Sequence, residues 1–464
     1  MTELAARFGV EQELDTAALT DFLRRQRWFG AKSREIAGVT MLDAVVVAPD
    51  PLTAVALAEV RFDGGTHEVY QLVLAQTDEG GGDGDHVFAH DGEGVREASN
   101  DARLAEVLVT NTRDGASIAS EHGALEFQAI RPIDDEGLQS SRVLGGEQSN
   151  TSIVLDGLML KLYRRVEAGI SPELEMLLFL TEHAFTNVPE LVGWYRYAGT
   201  PITSTLGVLQ RLLPDARDGW DLVLEAVPGD GADAVIGRVR RLGEVVGTMH
   251  CVLASEPHDP GFAPEEATPE AAALLATRVD EQVEVTFADL PDHESLAPIR
   301  GRAEDARTLV RALGPFTSPG RAIRTHGDLH LGQALWSEGD WWIIDFEGEP
   351  ARPVAERRTT ALPLRDVAGM LRSFSYAVSA LEVRGTPAPE GWEARARAEF
   401  LDGYRDGVDA GGIIPPDDDS QQRFLGLFEL EKALYELRYD LEHRPEWAAV
   451  PARAIARLLD EGTP

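Results

Sequence analysis

The sequence predicts an α+β protein in which strands dominate the first part of the chain and helices the second. Up to Leu212, short apolar runs alternate with turn residues, which is typical of strands. After the stretch "LPDARDGWD" the apolar spacing becomes helical, and only "QALW" and "WWIIDF" still indicate strands. The length of 464 residues is enough for two or three domains.

The composition disfavours several classes of function. With 79 acidic and 43 basic residues the formal net charge is −36, which argues against nucleic acid and anionic membranes as partners. No apolar window is long enough for a membrane span, and the N-terminus carries no signal-peptide pattern. Because Cys251 is the single cysteine, an intrachain disulfide is impossible. We therefore expect a cytoplasmic protein, monomeric or homodimeric, with small-molecule substrates.

The first 130 residues are expected to form a helix and a small β-rich domain. Apolar residues at helical spacing around Leu19, Phe22 and Leu23 predict the helix. The runs "VTMLDAVVVA", "LTAVALAEVRF" and "THEVYQLVLAQ" predict three strands. The glycine-rich, acidic segment from Asp78 to His86 predicts a loop.

A second set of strand patterns follows, and it is interrupted by one helix. The stretches "GALEFQAIRPI", "SSRVLGGEQSNTSIVLDG" and "LMLKLYRRV" predict strands and turns. In "SPELEMLLFLTEH", Ser171 is a suitable N-cap and Pro172 suits the first helical position, with acidic residues in the first turn. "LVGWYRY" and "TSTLGVLQRLL" predict two further strands.

The stretch "HGDLHLGQ" carries the strongest chemical signal. Asp328 and Gln333 have the spacing of the aspartate and asparagine in the protein-kinase catalytic loop, where the aspartate accepts a hydroxyl proton and the amide oxygen binds magnesium. The apolar run "WWIID" ends in Asp345, like the kinase aspartate that bridges metal and nucleotide phosphates. The pattern predicts phosphoryl transfer, with Asp328 at the acceptor and with Gln333 and Asp345 on Mg²⁺. A metal site of His326, Asp328 and His330 is the alternative.

Two further segments suit ATP phosphates. Lys161 lies on an apolar strand, where its ammonium group neutralises phosphate charge, and Glu175 on the next helix is placed to hold it. The turn "GGEQSNTS", from Gly145 to Ser152, precedes the lysine strand and has the small residues that let backbone N–H groups approach phosphate. The predicted phosphate-loop contacts are Gln148, Ser149, Asn150 and Thr151.

Together, "EQSNTSIV", "LKLYRR", "HGDLHLGQ", "IDFEGEP" and "PLRDVAGMLRSF" resemble maltokinases, which are relatives of the aminoglycoside phosphotransferases. "RQRWFGAKSREI" resembles their N-terminal cap, and "ELEKALYELRYDLEHRPEW" resembles their C-terminal helix. The resemblance implies a protein-kinase-like bilobal fold: a β-rich cap over residues 1–130, an intermediate β-rich subdomain over 131–213 and an α-helical lobe over 214–464. It also implies ATP as co-substrate, a free sugar as acceptor, and a hinge at Gln210 to Leu212 that meets adenine.

The flanks of the motifs depart from the maltokinase pattern. "RRTTALPLRD" and "FAHDGEGVREASNDARL" differ from the usual sequences at these places, which favours glucosamine and glucosamine 6-phosphate over maltose and maltose 1-phosphate. An aminoglycoside kinase and a pseudokinase are remoter alternatives, and no A-P-E segment supports a protein kinase. An amino sugar needs a carboxylate for its ammonium group. The candidate acceptor-binding residues are Asp328, His330, Glu347, Arg365, Asp366, Glu429, Glu431, Glu436 and Trp447.

Overall fold

The computed structural model describes residues 8, 16–77, 86–90, 93–99, 101–133, 141–145, 149–314, 319–349, 352–408 and 412–462. The chain forms two compact units. The first, here called the sheet unit, comprises Met1–Thr181 and Pro189–Pro214. The second, the helical unit, comprises Glu182–Val188 and Asp215–Pro464. Within the described ranges, no helix is long and apolar enough to cross a membrane.

The sheet unit begins with helix α1 (Thr16–Arg25) and a first sheet of long antiparallel strands. The strands of this sheet are β1 Ile36–Pro49, β2 Leu52–Phe62, β3 His67–Thr77, β4 His86–His90 and β5 Glu93–Glu97. They pair in the order β1-β2-β3-β5-β4, and the short strand β11 (Arg165–Val166) pairs with β3. One face of the sheet is buried under α1, including its Phe22, and under Trp28 and Phe29, which follow the helix.

The second sheet of this unit has seven strands in the order β6-β7-β12-β13-β10-β9-β8. Its strands are β6 Ser117–Ala119, β7 Gly123–Ala129, β8 Ser141–Val143, β9 Asn150–Leu155, β10 Leu158–Tyr163, β12 Leu191–Gly199 and β13 Thr203–Arg211. Helix α2 (Ala102–Asp114) packs with both sheets in one core, and helix α3 (Pro172–Glu182) follows β11. Because β6 and β7 precede residue 130 but belong to this sheet, the expected boundary at residue 130 does not fall between the two sheets.

The helical unit is built mainly from nine helices among its described residues. They are α4 Gly219–Ala226, α5 Ala232–Leu253, α6 Pro269–Ala288, α7 Ala303–Leu313, α8 Val354–Arg357, α9 Leu364–Val383, α10 Trp392–Gly407, α11 Asp418–His443 and α12 Ala449–Glu461. Its small sheets are formed by β14 Arg217–Asp218, β15 Glu265–Glu266, β16 Arg321–Ala322, β17 Ala334–Ser337 and β18 Asp340–Ile343. The buried aromatic residues Phe374, Trp392 and Phe400 pack edge to face between α9 and α10.

The predicted α+β class and the change from strands to helices near residue 213 are confirmed. Strands β2, β17 and β18 occur where the patterns predicted them. Helix α2 was not foreseen, although the side chain of Asp101 caps its first turn and Gly115 ends it in a left-handed conformation. The predicted loop at residues 78–85 lies outside the described residues.

Candidate active site

The backbone of the catalytic loop is anchored by Asp366 on α9. One carboxylate oxygen of Asp366 accepts the N–H of His326 at 2.7 Å, and the other accepts the N–H of Gly327 at 2.9 Å. Gly327 has φ +86°, a left-handed conformation that favours glycine. Asp328 follows directly, so these two hydrogen bonds fix the position from which its side chain extends.

Asp366 is itself held by a buried polar chain. His250 Nε2 on α5 lies 3.2 Å from Asp366 Oδ2, and His250 Nδ1 lies 3.0 Å from the hydroxyl of Tyr404 on α10. Burial favours the neutral form of Asp366, but the hydrogen bond and charge of His250 outweigh it and hold the pKa of Asp366 below its usual value. The anchor of the catalytic loop is therefore a carboxylate inside the helical core.

Asp328 forms an ion pair that local sequence spacing gave no reason to expect. The Nζ atom of Lys432, on α11, lies 3.0 Å from Asp328 Oδ1. Burial again favours the neutral acid, but the Lys432 ammonium outweighs it and lowers the pKa of Asp328. Desolvation likewise lowers the pKa of His330, which is neutral at pH 7 and accepts the N–H of Gly332 at 3.1 Å.

The predicted magnesium ligands lie together in the helical unit. Gln333 Nε2 donates to Asp345 Oδ2 at 2.9 Å, and Asp345 adopts φ +65°, a strained conformation for a residue with a side chain. Carboxylate oxygens of Asp345 and Glu347 lie within 4.8 Å of each other. Amide and carboxylate oxygens are the donors that Mg²⁺ prefers, so this set fits the ion.

The alternative metal site of His326, Asp328 and His330 is not supported by the geometry. His326 Nε2 donates to the carbonyl of Ile344 at 2.9 Å, and His326 Nδ1 faces the N–H of Asp328 at 3.4 Å. Both ring nitrogens of His326 are therefore used to hold backbone. The ring also packs on Phe346, with centroids 4.9 Å apart.

A cavity opens beside Asp328 in the helical unit and is the natural place for an acceptor. Its polar lining includes Asp328, Glu349, Arg352, Arg365, Glu431 and Lys432, and its aromatic lining is Phe428 and Tyr435. Arg365 and Glu431 pair at 3.1 Å, and Arg352 donates to Glu349 at 2.7 Å. The wall thus combines charged hydrogen-bonding groups with aromatic rings, a combination suited to sugars.

Other predicted acceptor residues are engaged elsewhere. Glu429 pairs with Arg397 at 2.6 Å, away from the cavity that contains Asp328. Glu436 pairs with the buried Arg372 at 2.8 Å. These two carboxylates hold α11 against its neighbours and do not line the cavity beside Asp328, so the structure gives their predicted acceptor role no support. Trp447 lies half-buried in the short turn Pro445–Trp447 and does not line the cavity either.

In the sheet unit, Lys161 is held by Glu173. Lys161 Nζ lies 2.9 Å from Glu173 Oε2, and both side chains are almost fully buried. The hydroxyl of Tyr163 donates to the same carboxylate at 2.7 Å. Glu173 lies two residues before the expected partner Glu175 in the first turn of α3, and the role of Glu175 stays a prediction.

The predicted phosphate loop is only partly described, because residues 146–148, and with them Gln148, lie outside the described ranges. Asn150 and Thr151 begin strand β9, and Asn150 Nδ2 lies 3.3 Å from Ser149 Oγ. Arg164 donates to Thr151 Oγ1 at 2.8 Å, which fixes the start of this strand. Their contacts with phosphate stay predictions.

At the predicted hinge, backbone donors are already used. The backbone N–H of Leu212 donates to the carbonyl of Gly157 at 2.9 Å, and that of Arg211 donates to the backbone carbonyl of Glu190 at 2.9 Å. The buried side chain of Gln210 lies 3.4 Å from the carbonyl of Pro189. Any adenine contact here would therefore use carbonyl groups or residues after Leu212.

The buried lysine–glutamate pair of the sheet unit and the loop aspartate of the helical unit are residue types that a kinase-like phosphotransferase uses. Residues 140–407 match the model of the phosphotransferase enzyme family, and residues 22–102 match the maltokinase N-terminal cap domain. The chain belongs to the phosphotransferase enzyme family and carries the maltokinase-type cap.

Two curated relatives and one solved structure are similar over most of the chain. The glucosamine kinase of Mycolicibacterium smegmatis is 31% identical over 82% of this chain and 92% of its own length. That of Streptacidiphilus jiangxiensis is 28% identical over 79% of this chain and 84% of its own length. A glucosamine kinase solved with glucosamine, ADP and inorganic phosphate shares the fold, with TM-score 0.68, 20% identity and coverage of 95% of this chain and 99% of that one.

Proposed function

We propose that this protein is an ATP-dependent sugar kinase that transfers the γ-phosphate of ATP to D-glucosamine and forms D-glucosamine 6-phosphate. The observation that carries the proposal is the cavity beside Asp328, lined by carboxylates, guanidinium groups and aromatic rings. The similarity to two curated glucosamine kinases supports the choice of acceptor.

Asp328 is the residue that meets the acceptor hydroxyl. Its carboxylate accepts the hydroxyl hydrogen bond and then the proton, while the acceptor oxygen bonds to the γ-phosphorus. The bond between the γ-phosphorus and the β,γ-bridging oxygen breaks, and ADP leaves. Since Asp328 is ionised well below neutral pH, it is ready to accept the hydrogen bond across the physiological range.

Lys161, held by Glu173, supplies positive charge for the nucleotide phosphates. Mg²⁺, bound through Gln333 and Asp345, would neutralise phosphate charge, and Glu347 is a further oxygen donor beside Asp345. The protein thus contributes position and electrostatics, which is most of what phosphoryl transfer requires.

The acceptor's ammonium group requires a carboxylate in the cavity. Four carboxylates among the described residues line the cavity: Asp328 meets the hydroxyl and Asp366 holds the catalytic loop, which leaves Glu349 and Glu431. An ammonium group within about 3 Å of either would form a charge-assisted hydrogen bond. We propose that these two residues, rather than Glu429 or Glu436, recognise the amino group.

One observation favours a neutral acceptor, maltose, as the second candidate. Glu349 and Glu431 each already pair with an arginine of the cavity wall. A neutral sugar would use these paired groups as hydrogen-bonding partners without competing for their charge. The maltokinase-type cap is consistent with this alternative.

The test is ADP release with Mg²⁺ and ATP in the presence of glucosamine, glucose, N-acetylglucosamine or maltose, each supplied alone. We expect turnover with glucosamine and at least tenfold lower kcat/KM with glucose, which lacks the ammonium group. Mass spectrometry of the product identifies the phosphorylated hydroxyl. Turnover with maltose alone would replace glucosamine by maltose, and ADP release independent of any sugar would contradict the proposal.

A further inference from the structure

Lys432 contacts the catalytic aspartate from an element distant in sequence. It lies on α11, and its Nζ donates to Asp328 Oδ1 at 3.0 Å at the wall of the acceptor cavity. An ammonium group on one carboxylate oxygen leaves the second oxygen for another hydrogen-bond donor. The contact therefore restricts both the rotation of the Asp328 side chain and the side from which an acceptor hydroxyl approaches.

The neighbours of Lys432 on α11 have other partners. Glu431 pairs with Arg365 at 3.1 Å, and Glu436 pairs with Arg372 at 2.8 Å. Burial disfavours the charge on Lys432, but Asp328 and then Glu436 outweigh it, so the pKa of Lys432 is raised and the ammonium group stays protonated. Lys432 thus presents a permanent positive charge to Asp328.

Other charged groups near Asp328 are less able to hold its carboxylate. On its own loop, His330 is neutral at pH 7 and the ring of His326 holds backbone. From α9, Asp366 also holds backbone. The guanidinium group of Arg352, on the cavity wall, donates to Glu349 at 2.7 Å. The Tyr435 ring faces Lys432, whose Nζ lies 5.5 Å from the ring centroid.

We propose that Lys432 is a positioning residue for phosphoryl transfer, which holds Asp328 so that one carboxylate oxygen faces the acceptor hydroxyl. The proposal rests on the role of Asp328 in the proposed function. After transfer, Asp328 carries the acceptor's proton, and the ammonium beside it favours release of that proton to solvent. Lys432 thereby restores the carboxylate for the next turnover.

The experiment compares Lys432→Met, Lys432→Arg and the matched control Arg438→Met, an exposed cation on the same helix. The readouts are kcat, KM for ATP, and the pH profile of kcat/KM for the sugar. In Lys432→Met we expect a roughly 10- to 100-fold fall in kcat, because the reacting groups lose their alignment. The KM for ATP should change little, and Arg438→Met should match the wild type.

The pH profile separates positioning from packing. Because Lys432 lowers the pKa of Asp328, its removal should move the acidic limb of kcat/KM to higher pH. Lys432→Arg keeps the charge and should keep the limb near its wild-type position. Thermal melting verifies that each variant is folded, and Lys432→Gln gives the same test if the methionine variant is not.

Wild-type kcat and an unmoved acidic limb in Lys432→Met would overturn the proposal. An equal loss of kcat in the methionine and arginine variants, with no movement of the limb, would also overturn it, because it would indicate packing alone. Failure of the proposed function gives a different result: the wild-type protein itself would then not phosphorylate any of the sugars.

Discussion

The carboxylate of Asp328 is placed by its neighbours in space as well as in sequence. Asp366 fixes the backbone before it, and Lys432 holds one of its oxygens. A residue constrained in this way needs little reorganisation when the acceptor binds. Its substitution should therefore affect the chemical step more than the binding of either substrate.

Asp328→Asn is expected to reduce kcat by roughly 10²- to 10⁴-fold, because the amide cannot accept the hydroxyl proton. The dissociation constant for Mg-ATP should stay within a few fold of the wild type, because the residues proposed to bind the nucleotide and Mg²⁺ are Lys161, Gln333 and Asp345. Steady-state kinetics and calorimetric titration with a non-hydrolysable ATP analogue provide the two measurements. Near-normal turnover would remove Asp328 from the mechanism.

Glu173→Gln should raise the KM for ATP by about tenfold, since the neutral amide no longer balances the buried Lys161. Glu175→Gln is the matched control, two residues later on the same helix and only half-buried, and should have the smaller effect. The measurement is the KM for ATP in each variant at saturating sugar. A larger effect at Glu175 would identify that residue as the functional ion-pair partner of Lys161.

At the scale of elements, helices α5 and α10 cross unusually closely. A Cβ atom added to Gly243 would clash with the carbonyl oxygen of Phe400, and one added to Gly403 would clash with the carbonyl oxygen of Arg240. The crossing brings together His250 and Tyr404, one from each helix. The packing of two helices thereby supports the carboxylate that anchors the catalytic loop.

Gly243→Ala should destabilise the fold by about 2 kcal/mol or more, because backbone lies where the methyl group would be. Gly237→Ala, on the same helix with open space around it, should be neutral or stabilising by up to about 1 kcal/mol. Urea unfolding of the two variants measures both effects. Equal stability of the two would show that the crossing adapts without cost.

Asp366→Asn is expected to lower the free energy of unfolding by about 2 kcal/mol at pH 7, since a buried hydrogen-bonded carboxylate is lost. The pKa of Asp366 is depressed in the folded protein, so its contribution is present above about pH 4 and is lost as pH falls through the folded pKa. In unfolding measurements at pH 7, 5 and 3, the wild-type advantage should therefore be the same at pH 7 and 5 and smaller at pH 3. A constant difference across this range would contradict the assignment.

The local pattern allowed much of the site to be predicted. Asp328, Gln333 and Asp345 follow a short-range spacing, and the structure brings the last two within hydrogen-bonding distance. The choice between Glu173 and Glu175 depends on how α3 rotates against the sheet, which its first-turn sequence does not determine. The contact of Lys432 spans 104 residues, so only the packing of α11 reveals it.

At the scale of the whole molecule, the net charge of −36 produces self-repulsion that dissolved salt screens. We expect the melting temperature to rise by a few degrees between about 10 mM and 200 mM NaCl. Differential scanning calorimetry at fixed pH measures it. A fall over the same range would mean that screening of the surface ion pairs outweighs relief of the repulsion.

Residues 182–188 belong to the helical unit, although the chain then returns to the sheet unit for β12 and β13. Asn187 donates to Asp340 at 3.1 Å and to the carbonyl of Trp341 at 2.7 Å, and it accepts the N–H of Ile343 at 2.8 Å. A fragment starting at Asp215 would leave the strand that leads to Asp345 without these partners. A gene fusion or recombination at residue 214 alone therefore cannot exchange the helical unit intact. The exchanged sequence must also include the seven residues 182–188.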